Sequence, residues 1–197
     1  PSRIKQPKEV DVLPLKDICR IEKGLSPNMN TPAGDFQMVV PAPNFKTADR
    51  YDFEGKAVCI PLVSAAGHGK ADIKRLHFVE GKFALANTMC ALFSKDESVV
   101  ISEYLYVYLT SKMNDLLVPL MKGATNVTMD VEQLFDLSIP LPPIDVQTSI
   151  ASNFLGQNFS KDLMRNIEKL ASHSLENELI NLLSEVREIS EKISVLT

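Results

Sequence analysis

Three histidines, His68, His77 and His173, are the residues of this chain best suited to proton transfer near neutral pH, so their surroundings come first. His68 lies four residues from Ser64 and four from Asp72, which are the residue types of a hydrolytic triad. A nucleophilic serine also needs a sharp turn that exposes its hydroxyl to the base, and no such elbow surrounds Ser64. A metal-independent hydrolase built on Ser64 and His68 is therefore poorly supported. An adenine methyltransferase would carry Asn or Asp before two prolines and an aromatic residue, where this chain has Leu141, Pro142, Pro143 and Ile144. Gly67, Gly69 and Lys70 are too compact for a phosphate-cradling nucleotide loop. Cys19, Cys59 and Cys90 are odd in number, with no CxxC spacing and no partner histidines nearby, which predicts buried thiols rather than disulfides or zinc ligands. This reading calls for no catalytic residue, no metal and no cofactor.

What remains is recognition by hydrogen bonds and charge. Base edges are read by Arg and Lys at guanine and by Asn or Gln at adenine, from loops held by a rigid sheet. Residues 64–75 present Ser64, His68, Lys70, Lys74 and Arg75, with Gly67 and Gly69 allowing close backbone approach. Residues 122–128 offer Lys122, Thr125, Asn126 and Thr128, although turn chemistry alone also selects Asn and Thr. Lys46 and Arg50, beside Phe45 and Tyr51, form a third candidate, for phosphate contact. The formal net charge of −4 opposes a DNA-binding reading, because affinity for a duplex depends on cations meeting phosphates. The charge is uneven, however. Residues 46–95 hold eight cations against five acids, a net of +3, whereas the segment from Val146 holds five against seven, a net of −2.

The elements that must position these loops are legible in outline. The composition and the chain length suit one globular core with an appendage. Residues 57–64 and 83–93 are apolar at strand-like spacing, and Glu80 with Gly81 predicts a hairpin-type turn before the second. Leu105, Leu109, Met113 and Leu116 recur at helical intervals, which predicts a helix over 102–117 with Ser102 as its N-cap and its tyrosines, Tyr104, Tyr106 and Tyr108, in the core. Asp130 is placed to cap a second, short helix. From Val146 onward there is no proline and Gly156 is the only glycine, so one long helix or two collinear ones are expected. Leu179, Leu182, Val186, Ile189, Ile193 and Leu196 follow alternating steps of three and four, the seam of a coiled coil. No apolar run approaches the roughly 18 residues that cross a bilayer.

The stretch 133–154, QLFDLSIPLPPIDVQTSIASNF, is the most specific part of the chain. Leu137, Ile139 and Leu141 alternate as a strand does, and Pro140, Pro142 and Pro143 force an extended exit. Asp145 is expected to cap the helix that follows. This junction resembles the boundary between a target recognition domain and its following helix in specificity subunits of type I restriction-modification enzymes. Other segments resemble that family in the same order: VLPLKDICRIEKGLSP as the domain's opening, with Leu15, Ile18 and Ile21 as core positions and Gly24, Ser26 and Pro27 as a turn; then GKAVCIPLVSAAGHGKADIKRLHF, SEYLYVYLTSKMNDLL and GATNVTMDVEQLFDLSIPLPP.

The resemblance implies an α+β target recognition domain with a mixed sheet over residues 1–144 and a coiled-coil spacer or dimerisation helix over 145–197. It implies a cytoplasmic, non-catalytic reader of one half of a bipartite site in double-stranded DNA. Its partners would be a DNA adenine methyltransferase subunit or fused domain, a restriction subunit indirectly, and a second copy or second recognition domain through the helix. The first residue is Pro1 rather than Met, as in an excised fragment. The resemblance covers one half of a full family member, which fits a half-length subunit that dimerises, a piece of a longer specificity subunit or a recognition end fused after a methyltransferase domain. The competing reading is a protein-interaction or oligomerisation module that works through the acidic helix.

Overall fold

The segment Ala57–Pro61 has no polar side chain, and a strand with none must be covered on both of its faces. The architecture follows from that requirement. The computed structural model describes residues 10–66 and 69–156. In chain order the strands are β1 (Asp11–Pro14), β2 (Cys19–Lys23), β3 (Phe36–Val39), β4 (Lys46–Ala48), β5 (Phe53–Glu54), β6 (Ala57–Pro61), β7 (His77–Val79), β8 (Lys82–Leu85), β9 (Met89–Ser94) and β10 (Ser138–Leu141). The helices are α1 (Leu15–Ile18), α2 (Ser102–Ser111) and α3 (Met113–Leu116), with 3-10 turns at Val118–Leu120 and Val131–Leu134. A further helix, α4, begins at 144 and is described to 156. The elements before it belong to the compact unit Pro1–Ala151, and a second unit, Ser152–Thr197, begins within α4.

Sheet β2-β9-β6-β7 is antiparallel throughout and lies between two cores. Val58, Ile60, Cys90 and Leu92 face the first, which Leu105 and Leu109 of α2 share with Leu134 and Ile139. Their strand neighbours Ala57, Cys59, Met89, Ala91 and Phe93 face the second, shared with Val39, Phe83 and Leu85 of sheet β4-β3-β8-β5. Period-two alternation thus splits one apolar run between two cores. The second sheet is mixed, because β3 and β8 run parallel while its other pairs are antiparallel. Between the sheets, Gly24 is pressed against β8's exit: an added Cβ would lie 2.0 Å from the Ala86 carbonyl oxygen.

The chain's opening and closing motifs meet. β1 pairs antiparallel with β10, and the Leu15 and Lys16 amides donate to Leu137 and Phe135 at 2.9 and 3.0 Å. Tyr104 anchors α2 to this ribbon through its hydroxyl, which donates to the Pro140 carbonyl at 2.7 Å, and burial pushes its pKa up to about 12. Gln147 closes the junction from α4. Its side chain is 1% exposed; its amide nitrogen donates to the Val99 and Pro142 carbonyls at 3.0 and 2.8 Å, and its oxygen accepts from the Ile101 amide at 3.1 Å.

Several local expectations need correction. Residues 83–93 are two strands in different sheets, broken where the Met89 amide turns back to the Ala86 carbonyl at 2.9 Å. Glu80 and Gly81, whose φ is +92°, do not close a hairpin; they carry the chain from the first sheet to the second. The helix expected over 102–117 is interrupted at Lys112 (φ −109°, ψ 12°), where the Ser111 hydroxyl donates to the Tyr108 carbonyl and competes for a helical acceptor. Ile101 is that helix's N-cap, and Ser102 is its first residue, donating its hydroxyl to Glu97 at 2.6 Å. Asp145 lies inside the first turn of α4, because the prolines leave Ile144 as the first helical residue. Around Ser26 the chain is extended and bridged to Ala86, so the turn falls at 28–30. The coiled-coil seam from Leu179 to Leu196 lies outside the described residues. Leu15, Ile18 and Tyr104 are buried as expected, and so are all three cysteine thiols.

Candidate functional site

Beyond β6 the chain continues through Leu62 and Val63, and both residues are committed to the segment 127–129. The Met129 amide donates to the Leu62 carbonyl and the Ser64 amide to the Val127 carbonyl, each at 2.9 Å. On its other side Thr128 exchanges backbone hydrogen bonds with Lys122 at 2.8 and 2.9 Å. Segment 127–129 is therefore the middle of three short extended pieces. Val127 and Met129 point into the first core, which turns Asn126 and Thr128 outward. Asp130 and Gln133 then form a capping box over the turn Val131–Leu134, in which Gln133 accepts from the Asp130 amide at 2.9 Å.

The first loop is organised from within. The Ser64 hydroxyl donates to the Lys70 carbonyl at 2.6 Å and accepts from the amides of Asp72 and Ala66 at 3.0 and 3.2 Å. One donor and two lone pairs are all a hydroxyl has, so Ser64 is spent on the loop's own backbone. Ile73 and Leu76 bury the loop's far end in the first core. Lys70, Lys74 and Arg75 are left exposed, and Lys74 approaches Asp72 only at 3.6 Å. His68 and Gly67 lie outside the described residues.

The two loops touch each other. Gly69 has φ +73° and sits so close to the second loop that a Cβ would lie 2.2 Å from the Ala124 carbonyl oxygen. Lys70, Lys74 and Arg75 of one loop and Lys122, Thr125, Asn126 and Thr128 of the other are thus exposed residues of two loops in contact. Within 64–75 and 122–128 there are four lysines and arginines against the single acid Asp72. Beside them, Asp130, Glu132 and Lys23 line a cleft of about 290 Å³ together with Ile21, Leu62 and Phe135.

The third candidate segment reaches the same neighbourhood in part. Phe45 packs on His77 with ring centroids 5.0 Å apart, two residues beyond Arg75. His77 is buried with its Nε2 unpartnered; burial and the positive charge of Arg75 hold its pKa below the ordinary value. Lys46 donates to the Asn28 carbonyl at 2.8 Å, so part of its hydrogen-bonding capacity is already used. Arg50 is exposed, and no hydrogen bond or ion pair joins it to either loop among the described residues. Tyr51 is engaged by Phe36 at 5.1 Å and by the Lys82 ammonium at 4.9 Å. What the sequence did not reveal is the loop-to-loop contact. Gly69 was legible as permissive, but its distant neighbour Ala124 carries no signal of its own.

Residues 7–171 match the family described as the type I restriction modification DNA specificity domain. The chain belongs to this family. Its fold is shared with the S subunit of a type I restriction-modification system from M. genitalium, at 17% identity and a TM-score of 0.60 over 87% of this chain and 43% of that one. The HsdS subunit from Thermoanaerobacter tengcongensis is similar at 19% identity and a TM-score of 0.52, over 94% and 46% of the two chains. A third similar chain comes from a structure describing complex assembly and conformational transition of the type I R-M system, with 16% identity, a TM-score of 0.53 and coverage of 97% and 46%. This specificity-domain chain spans less than half the length of each of these three. No curated protein matches it. Among its described residues no helix is long and apolar enough to cross a membrane.

Proposed function

We infer that the chain is the non-catalytic, sequence-reading component of a type I restriction-modification complex, and that the composite surface formed by residues 64–75 and 122–128 is its duplex-facing side. The observation that carries this reading is the contact between two donor-bearing loops that hold four cations against one acid, in a chain of the DNA specificity family whose overall charge is −4. Charge confined to one face steers a duplex to that face, and forked donors beside it discriminate base edges. Lys70, Lys74, Arg75 and Lys122 supply charge, and Asn126 supplies an amide suited to adenine. Lys46 extends phosphate contact along Phe45.

In this reading the globular part, residues 1–144, reads one half of a bipartite site in double-stranded DNA. Residues 145–197 act as the spacer, with the seam Leu179, Leu182, Val186, Ile189, Ile193 and Leu196 joining a second copy or a second recognition domain. A DNA adenine methyltransferase subunit docks on this assembly and the restriction subunit joins through it, in the cytoplasm where the DNA lies. The test is selection of bound sequences from a random duplex pool at moderate salt, with the methyltransferase partner supplied. A short enriched motif is the expected outcome. No enrichment at any salt would transfer the function to protein interaction through the acidic C-terminal segment.

A further inference from the structure

The geometry points to Gly69 and Ser64 as specificity-determining positioning residues that do not touch DNA: together they lock the two loops into one reading unit, so that neither loop's base preference is independent of the other. This rests on the function inferred above and adds to it. Ser64 meets the second loop through its amide on Val127 and holds the first loop closed against it through its hydroxyl on Lys70, Ala66 and Asp72. Gly69 also joins the loops, with no space for a side chain against the Ala124 carbonyl and a φ of +73° that L side chains rarely adopt. The backbone ladder through Val63, Thr128 and Lys122 completes the closure. Lys70 follows Gly69 directly, and Asn126 follows Ala124 by two residues. A displacement at the contact therefore moves donors on both loops.

A base reader works by holding donors in place before the duplex arrives, since ordering them on binding reduces affinity. Gly69→Ala has to push the loops apart or turn its own backbone, and Ser64→Ala frees the first loop without adding bulk. Both are expected to weaken binding to the wild-type motif by about tenfold. The distinguishing consequence is in the selected motif. Arg75→Ala relaxes preference where the first loop reads and Asn126→Ala where the second reads, whereas Gly69→Ala and Ser64→Ala each relax both groups of positions. Ser64→Thr, which keeps the hydroxyl, restores the wild-type motif.

The experiment is duplex-pool selection with the full chain and its methyltransferase partner, run in parallel for wild type, Gly69→Ala, Ser64→Ala, Ser64→Thr, Arg75→Ala and Asn126→Ala, with the unfolding midpoint of each recorded. Ser64→Ala keeps the question answerable if Gly69→Ala fails to fold. A wild-type motif that Ser64→Ala reproduces unchanged, with affinity within twofold, overturns the interlock and leaves the DNA-reading function standing. A wild type that selects no motif overturns both.

Discussion

Replacing Gln147 by alanine leaves three backbone groups without the partner that now joins α4 to the entrance of α2. The Ile101 amide loses an acceptor at 3.1 Å, and the carbonyls of Pro142 and Val99 lose donors at 2.8 and 3.0 Å. Val99 is 40% exposed, so water replaces its donor at little cost. The Ile101 amide and Pro142 carbonyl are half-buried, and an unmade hydrogen bond at such sites costs about 1 to 3 kcal/mol for each group. Gln147→Ala should therefore destabilise the domain by about 2 to 6 kcal/mol, once Val99 is discounted. A chain of this size loses about 2 to 4 °C of Tm per kcal/mol, so a drop of roughly 4 to 24 °C is expected. Urea unfolding followed by circular dichroism measures the free energy, and the slope of the transition should stay unchanged. Gln147→Glu refines the test. Burial and two facing carbonyls raise its carboxyl pKa in the folded state, so between the unfolded value of about 4.3 and that raised value the folded protein binds more protons. Its stability relative to wild type must then fall as pH rises through the window and recover in acid. A loss below about 0.5 kcal/mol for Gln147→Ala, or no pH trend for Gln147→Glu, would refute this account of the junction.

If Arg75 reads a base edge, Arg75→Ala should cost about 1 to 3 kcal/mol on the selected duplex and relax one position, whereas loss of a phosphate contact at Lys70 or Lys122 lowers the salt slope by about one on every sequence; affinities at several salt concentrations separate the two. The pKa of His77 is lowered by burial and by Arg75, so the unfolded chain binds more protons below pH 6.5 and wild-type stability should fall as pH drops through that region. Urea midpoints of wild type and His77→Gln across this range should diverge, with the variant's profile flatter. Burial raises the thiols of Cys19 and Cys90 to about 12 and that of Cys59 higher still, so a thiol reagent at pH 8 should label none of them in the native protein and all three in denaturant. Leu182→Asp or Ile189→Asp should abolish self-association in sedimentation equilibrium if the C-terminal seam pairs two chains, since a charge at a seam position is costly to bury.

The amino-acid sequence by itself determined the local logic of this protein. Ile139 and Leu141 alternate within β10, Pro142 and Pro143 follow its end, and Asp130 with Gln133 caps a turn from four consecutive residues. These signals act between neighbours, through sterics and short hydrogen bonds, so neighbours suffice to read them. Tertiary structure decided what depends on distant partners. Whether residues 83–93 made one strand or two depended on distant partners: Phe83 and Leu85 pair with β5 and β3, whereas Met89–Ser94 pairs with β6 and β2. Gln147 was visible as part of a motif, but its role required the entrance of α2 to arrive beside it. The candidate surface divides in the same way. Its donors could be listed from residue type, because cations and amides on glycine-bearing loops announce themselves. The meeting of the two loops could not, because the contact between Gly69 and Ala124 involves a missing side chain on one side and a backbone oxygen on the other, neither of which sequence patterning records.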